Sequence, residues 1–329
     1  MTSPEAVVER VPSPPGRLEV PLAACVAAAA FSAVFVVPFF GVLGIPLAAV
    51  PVVRLAHRQG LVTGFAACAL AVALVLGFGW AVGGIGAGLA LCFAAAGVLV
   101  VPVASVGFLR AGVNPSRCYL GICLAGCAFL AAAFVASSGA QAPGVTAEVA
   151  SSFDHLIPAV LASYKGSGAD AEMVAGMRAT LEAAREFAQA YLWGIFGALW
   201  VFASAVAFYL GAASARPGET AEAARFETLR VPAAGAGFFV AAGAAFGLLA
   251  GEPRRMAGNV LLPLLALYFV AGLSIICHFF RRWFRVRILR VGLYALAAYF
   301  PINVGVALLG LFDWYVDFRR RGEGVVEKS

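Results

Sequence analysis

No aspartate or glutamate occurs between Glu19 and Glu148, and this absence limits the possible folds more than any motif in the chain. Residues 20–147 carry only four fixed charges, Arg54, Arg58, Arg110 and Arg117, with His57 beside the first pair. Soluble proteins devote about a quarter of their residues to charges, so a stretch this long without an acid is not built to face water. It is built to lie in lipid, with its arginines at the membrane edges. The rest of the chain agrees: 62% of its 329 residues are hydrophobic and 12% are charged. Apolar runs of about 20 residues, enough to cross a bilayer, recur from end to end. The net charge of +6 does not point to nucleic acid, because the basic residues fall in short clusters between apolar segments. That is the pattern of the positive-inside rule.

These segments predict an all-α fold, a polytopic transmembrane helical bundle of eight or nine spans. Val20–Val53 is too long for one pass and contains Pro38, Pro46 and Pro51. Proline removes a donor and disfavours helix before it, so two passes are expected, with a break near Pro38–Gly41. Arg54–Arg58 then read as a basic cytoplasmic loop. Leu61–Trp80 forms the next span, and a glycine-rich turn (Gly79, Gly83, Gly84, Gly86, Gly88) leads into another ending near Phe108. Cys118–Ser137 follows. Later spans are expected at Tyr191–Leu210, Pro232–Ala250, Ala257–Phe280 and Val291–Phe312, with Glu252, Arg254 and Arg255 in a small outer loop. Nine passes from a cytoplasmic N-terminus would put Arg319–Arg321 outside, against the positive-inside rule. Either the first stretch is partly re-entrant or the last segment folds back at Pro301.

Ala140–Glu186 interrupts the apolar pattern with six acids against Lys165, Arg178 and Arg185. Phe153, Leu156, Ile157, Val160, Leu161 and Tyr164 recur at helical spacing, as do Met173, Met177, Leu181, Ala184 and Ala188. Two amphipathic helices are expected on the extracytoplasmic side, the first capped by Ser151 or Ser152 and separated from the second by Gly166 and Gly168. The domain organisation is then a disordered cytoplasmic tail without a cleaved signal (1–19), an N-terminal transmembrane bundle (20–138), the insertion (139–187), a C-terminal bundle (188–318) and a polar tail (319–329).

The residues offer little for catalysis. HExxH, GxSxG and GxxxxGK[ST] are all missing from the sequence. The seven cysteines lie in or beside apolar segments with no CxxC spacing and read as small packing residues. No catalytic set, metal site or cofactor is expected, and the chain is not read as an enzyme. Thr63, Ser105, Ser204, Ser274 and Asn303 read as helix-packing polar groups. Gly84 with Gly88, and Gly243 with Gly247, allow close helix approach. Polar and aromatic residues gather near the C-terminus, where Asp313 and Asp317 lie one helical turn apart. In one reading Trp314 and Tyr315 belong to an aromatic belt and the acids pair with interfacial arginines. In the other, Asp313 or Asp317 pairs with Arg281, Arg282 or Arg285, and His278, Arg281, Arg282, Asp313, Asp317 and Arg319 form a latch or partner site.

The stretches YFVAGLSIICHFFRRW and LLGLFDWYVDFRRR, with GIPLAAVPVVRLAHRQGLVTG near the start, resemble the YybS-like bacterial membrane proteins of domain-of-unknown-function family 2232. At superfamily level that family is similar to the S components of energy-coupling-factor transporters. The resemblance implies a substrate-binding helical bundle in the bacterial cytoplasmic (inner) membrane, moved by a T component and ATPases. It also implies an AxxxA helix-docking face, which Ala23 and Ala27 would match. Two functions follow as expectations. One is a small-molecule transport or substrate-binding component energised by a partner. The alternative is a non-transporting membrane scaffold that docks a cytoplasmic or envelope partner.

Overall fold

The structure, a computed structural model, describes residues 18–36, 44–138, 145–213, 225–283 and 301–319, together with Gly292, Tyr294, Leu296, Ala297 and Tyr299. The described residues are helical, with short connections and no strand. The chain divides into two compact units, one of Met1–Ile122 with Ala203–Phe226 and one of Cys123–Phe202 with Glu227–Ser329.

In the first unit, α1 spans Glu19–Val36, α2 Val50–Gln59 and α3 Leu61–Arg110. The stretch 37–43, where the break near Pro38–Gly41 was placed, lies outside the described residues. Arg54–Arg58 do not form a loop: they occupy the second half of α2, an amphipathic helix whose Val52, Val53, Leu55 and Ala56 are buried. Its basic residues share a helix with this buried apolar set. The helix stops at Gly60, whose φ of +110° is open to glycine and strained for other residues.

The 50 residues of α3 cannot form one straight rod, which would be about 75 Å long. A Cβ added to Gly107 would lie 3.0 Å from Leu61 Cδ1, and one on Gly64 would lie 3.1 Å from Val103 Cγ1. The two arms of α3 therefore lie side by side. These pairings centre on about position 84, among the glycines where the sequence predicts a turn. Between and around the arms, Ala67, Ala71, Val75, Ala95, Leu99 and Val103 pack with Ala24, Ala27, Ala28 and Phe31 of α1. Small side chains let these backbones approach closely, as membrane helices do when hydrophobic burial alone cannot drive association.

The next helix, α4, covers Pro115–Ser138, close to the expected Cys118–Ser137. In the second unit, α5 (Val145–Gly166) and α6 (Ala171–Ala205) are the two helices expected in the acidic insertion. Because α5 begins at Val145, Ser151 and Ser152 lie inside it and do not cap it. Gly168 turns the chain at φ +82°. Asp170 caps α6, its Oδ1 accepting the Met173 N–H at 2.7 Å. Of the expected apolar stripes, Leu161 is buried, while Leu156 and Met173 are exposed. Arg185 joins the two helices through Asp154 at 2.8 Å. Beyond Ala205 the helical run widens into a π turn, Val206–Leu210, and ends over Gly211–Ala213.

Helix α7 spans Ala233–Leu248, α8 Gly251–Trp283 and α9 Ile302–Val316. Glu252, Arg254 and Arg255 belong to the first turns of α8, which leaves only Leu249 and Ala250 as the connection. Within the segment expected as one span from Val291, Tyr299 and Pro301 are not helical, and the helix that begins at Ile302 runs past Phe312 to Val316. Helices α8 and α9 cross almost backbone to backbone. A Cβ on Gly272 would sit 1.9 Å from the Val306 carbonyl oxygen, and one on Gly310 would sit 2.1 Å from that of Tyr268.

Among the described residues, four helical stretches are long and apolar enough to cross a membrane: Leu61–Val82, Pro115–Ala132, Ala171–Ala213 and Gly251–Arg281. Shorter apolar helices cover Glu19–Ala33, Ala94–Arg110, Ala233–Leu248 and Ile302–Val316.

Candidate functional site

The C-terminal charges that the sequence singles out do gather, but in pairings of their own. Asp317 ends α9 in the left-handed conformation (φ +45°), which aspartate tolerates better than most residues. This reversal turns Arg319 back into the unit. There its Nη2 donates to the buried Leu229 carbonyl at 2.7 Å and to Ser274 Oγ at 2.8 Å, and it lies 3.4 Å from Asp313 Oδ2. The Ser274 hydroxyl in turn donates to the Ala271 carbonyl at 2.7 Å. Arg230 holds Asp317 at 2.9 Å, and Arg281 holds Glu227 at 2.8 Å. The expected pairing of Asp313 or Asp317 with Arg281 is not formed, because Glu227 is nearer to that arginine. His278 stands edge-on to Phe279 with ring centroids 5.4 Å apart. The side chains of Arg282 and Arg285 lie outside the described residues.

Two ion pairs and the hydrogen bond from Arg319 to Leu229 thus pin segment 227–230 between the ends of α8 and α9, with the Arg319–Asp313 pair beside them. Each charge in these pairs has its opposite, so the cluster braces the fold. The Ala23 and Ala27 face is likewise occupied: Ala27 is fully buried and Ala23 packs against the same core. It is taken up by the chain's own helices.

A more open arrangement lies midway along α6. Tyr191 has φ −121° and ψ 21°, which breaks the helix there. A regular helix would bond the Gly194 N–H to the Ala190 carbonyl. Here the Asn259 side chain of α8 takes both partners. Its Oδ1 accepts from Gly194 N at 2.6 Å, and its Nδ2 donates to Ala190 O at 3.0 Å and to Arg255 O at 2.9 Å. Close approach makes this possible, since a Cβ on Gly194 would lie 2.8 Å from Asn259 Cα. One lost backbone bond is replaced by two bonds from a neighbouring helix.

Beside the break lies a groove of about 720 Å³ lined by Glu186, Phe187, Gln189, Tyr191 and Arg255, with Ala183 and Ala190. The Phe187 and Tyr191 rings stack obliquely at 5.0 Å, and Tyr191 meets Phe246 of α7 edge-on at 6.2 Å. Arg254 covers Phe246 at 4.9 Å from its centroid, a cation–π contact. Arg255 also holds Glu252 at 2.9 Å. The groove therefore offers aromatic faces, a carboxylate, a guanidinium and an amide within one or two helical turns. Sequence reasoning placed a span boundary at Tyr191 and missed Asn259 altogether. The signal available was an asparagine eight residues into a helix otherwise dominated by apolar side chains.

A family model described as predicted membrane protein (DUF2232) matches residues 25–314. No curated protein and no solved structure matches the chain significantly.

Proposed function

The chain belongs to the DUF2232 family of predicted membrane proteins, and on that premise we propose that it binds a small molecule in the α6 groove and takes part in its transport, with a partner protein supplying the energy. The observation that carries this reading is the break at Tyr191, bridged by Asn259 and opening on the groove. Interrupted membrane helices are where transporters gather polar groups for a substrate, because irregular backbone is tolerated at membrane depth only where protein or a water-filled cavity satisfies it. A volume near 720 Å³ suits a small organic molecule. The passes within residues 20–147 hold no carboxylate of the kind ion-coupled carriers rely on within the bilayer.

We read the four shorter apolar helices as further passes in a bacterial cytoplasmic membrane. In this reading α5 and the first half of α6, tied by Asp154 and Arg185, stand outside and flank the groove. An energising T component with ATPases is the partner that the S-component likeness suggests.

The test is affinity purification of the full chain in mild detergent, with mass spectrometry of what accompanies it and a thermal-shift screen of small molecules. We expect a co-purified or stabilising small molecule whose effect disappears in Gln189→Ala and Tyr191→Ala. A pull-down that instead yields one soluble protein, released by Arg281→Glu, with no ligand response would replace transport by scaffolding.

A further inference from the structure

We infer that the basic corner of the first unit binds the phosphate groups of anionic phospholipids. Several helix ends meet there. Gln59, at the end of α2, donates to Glu19 at the start of α1. Arg110, at the end of α3, donates through Nη2 to the Ala56 carbonyl at 3.0 Å and to that of His57 at 3.2 Å. The start of α3 follows directly at Leu61, and α4 begins five residues after Arg110. One layer of the unit therefore collects the ends of four apolar or amphipathic helices, which places it at a membrane surface.

The charges of this layer do not balance. Among the described residues it carries Arg54, Arg58, Arg110 and Arg117 against Glu19 alone, and Glu19 is engaged by Gln59. Arg54, Arg110 and Arg117 are exposed. The cause lies in the sequence: residues 20–147 contain no acid that could answer these arginines. The three ion pairs of the C-terminal cluster show the contrasting case, where each arginine finds a carboxylate of its own. Guanidinium groups match phosphate oxygens in a two-pronged geometry, and a cation near an anionic bilayer surface is attracted to it. Arg110 has a double task, because it also closes the carbonyl end of α2. The lipid-facing role falls mainly to Arg54, Arg58 and Arg117.

The experiment compares thermal unfolding of the full chain in nanodiscs of phosphatidylcholine alone and of phosphatidylcholine with phosphatidylglycerol. A parallel sample in phosphatidylcholine receives inorganic phosphate. We expect the anionic lipid to raise Tm by roughly 5 °C, the gain to shrink at high salt, and phosphate to have little effect. The triple variant Arg54→Gln, Arg58→Gln, Arg117→Gln should unfold as the natural chain does in phosphatidylcholine and lose most of the gain. Arg281→Gln, altered in the other unit, should keep it. Equal stability in both lipids, or an undiminished gain in the triple variant, would overturn the proposal. Stabilisation by phosphate equal to that by phosphatidylglycerol would replace the lipid by a soluble anion. If the triple variant fails to fold, lipid retention by the natural chain in native mass spectrometry decides: preferential retention of phosphatidylglycerol over phosphatidylcholine supports the assignment, and equal retention refutes it.

Discussion

Asn259 illustrates how much one polar side chain can carry in an apolar setting. Its amide makes three hydrogen bonds, two of them to the backbone groups that the break at Tyr191 would otherwise strand. Side-chain hydrogen bonds between membrane helices average about 0.6 kcal/mol, but stranding a buried backbone group costs about 1–3 kcal/mol more. Asn259→Leu keeps the volume and removes all three bonds. We expect it to destabilise the chain by ~2–3 kcal/mol in a reversible unfolding titration and to weaken any ligand response of the groove. His57 gives a pH signature of its own. Burial, and then the charge of Arg110, push its pKa down to about 4, against an ordinary value of about 6.5. Between those values the unfolded chain binds a proton that the folded one refuses, so stability must fall as pH drops from about 6.5 towards 4. Thermal unfolding across that window should show a steeper loss in the natural chain than in His57→Leu, and parallel curves would refute the assignment.

The elements were unevenly legible. Hydropathy alone located the bodies of α4, α7 and α8, because an 18-residue apolar stretch has few alternatives to a membrane helix. The glycine cluster falls near the reversal within α3, although its residues are helical, and the expected span start at Tyr191 coincides with the non-helical φ/ψ inside α6. What failed were the places where charge was equated with loop. Arg54–Arg58 and Glu252–Arg255 both lie in helices, the first in an amphipathic one and the second in the first turns of α8. The ion-pair partners were illegible for a different reason. Glu227 and Arg230 are far in sequence from Arg281 and Asp317, and only tertiary packing selects them over nearer candidates. Two consequences belong to this scale. Breaking the buried pair with Arg319→Met strands Asp313, and we expect a loss of ~3–5 kcal/mol. The double variant Arg319→Met, Asp313→Leu should recover much of it in the same assay. At the crossing of α8 and α9, Gly310→Ala would drive a methyl group to 2.1 Å from the Tyr268 carbonyl oxygen. Because the obstacle is backbone, the helices must separate, and we expect ~1–3 kcal/mol of destabilisation.

For the whole molecule, the distribution of charge is the organising fact. The first unit's N-terminal stretch carries Arg54, Arg58, Arg110 and Arg117 against a single described acid, Glu19, and the insertion carries acids in excess. Membrane insertion sorts such segments by side, holding clustered arginines in the cytoplasm. In a chain stripped of its native cysteines, Lys165→Cys should therefore react with a membrane-impermeant thiol reagent in intact cells, and Arg117→Cys only after lysis. The opposite pattern would invert the proposed orientation and move the groove to the cytoplasmic face. The bend in α6 has a consequence at this scale too. The two groups that Asn259 bridges are the same pair that a regular helix would join, so a neighbouring side chain stands in for the backbone bond that the bend gives up. The course of the long helix therefore depends on an amide that its own stretch of sequence does not contain.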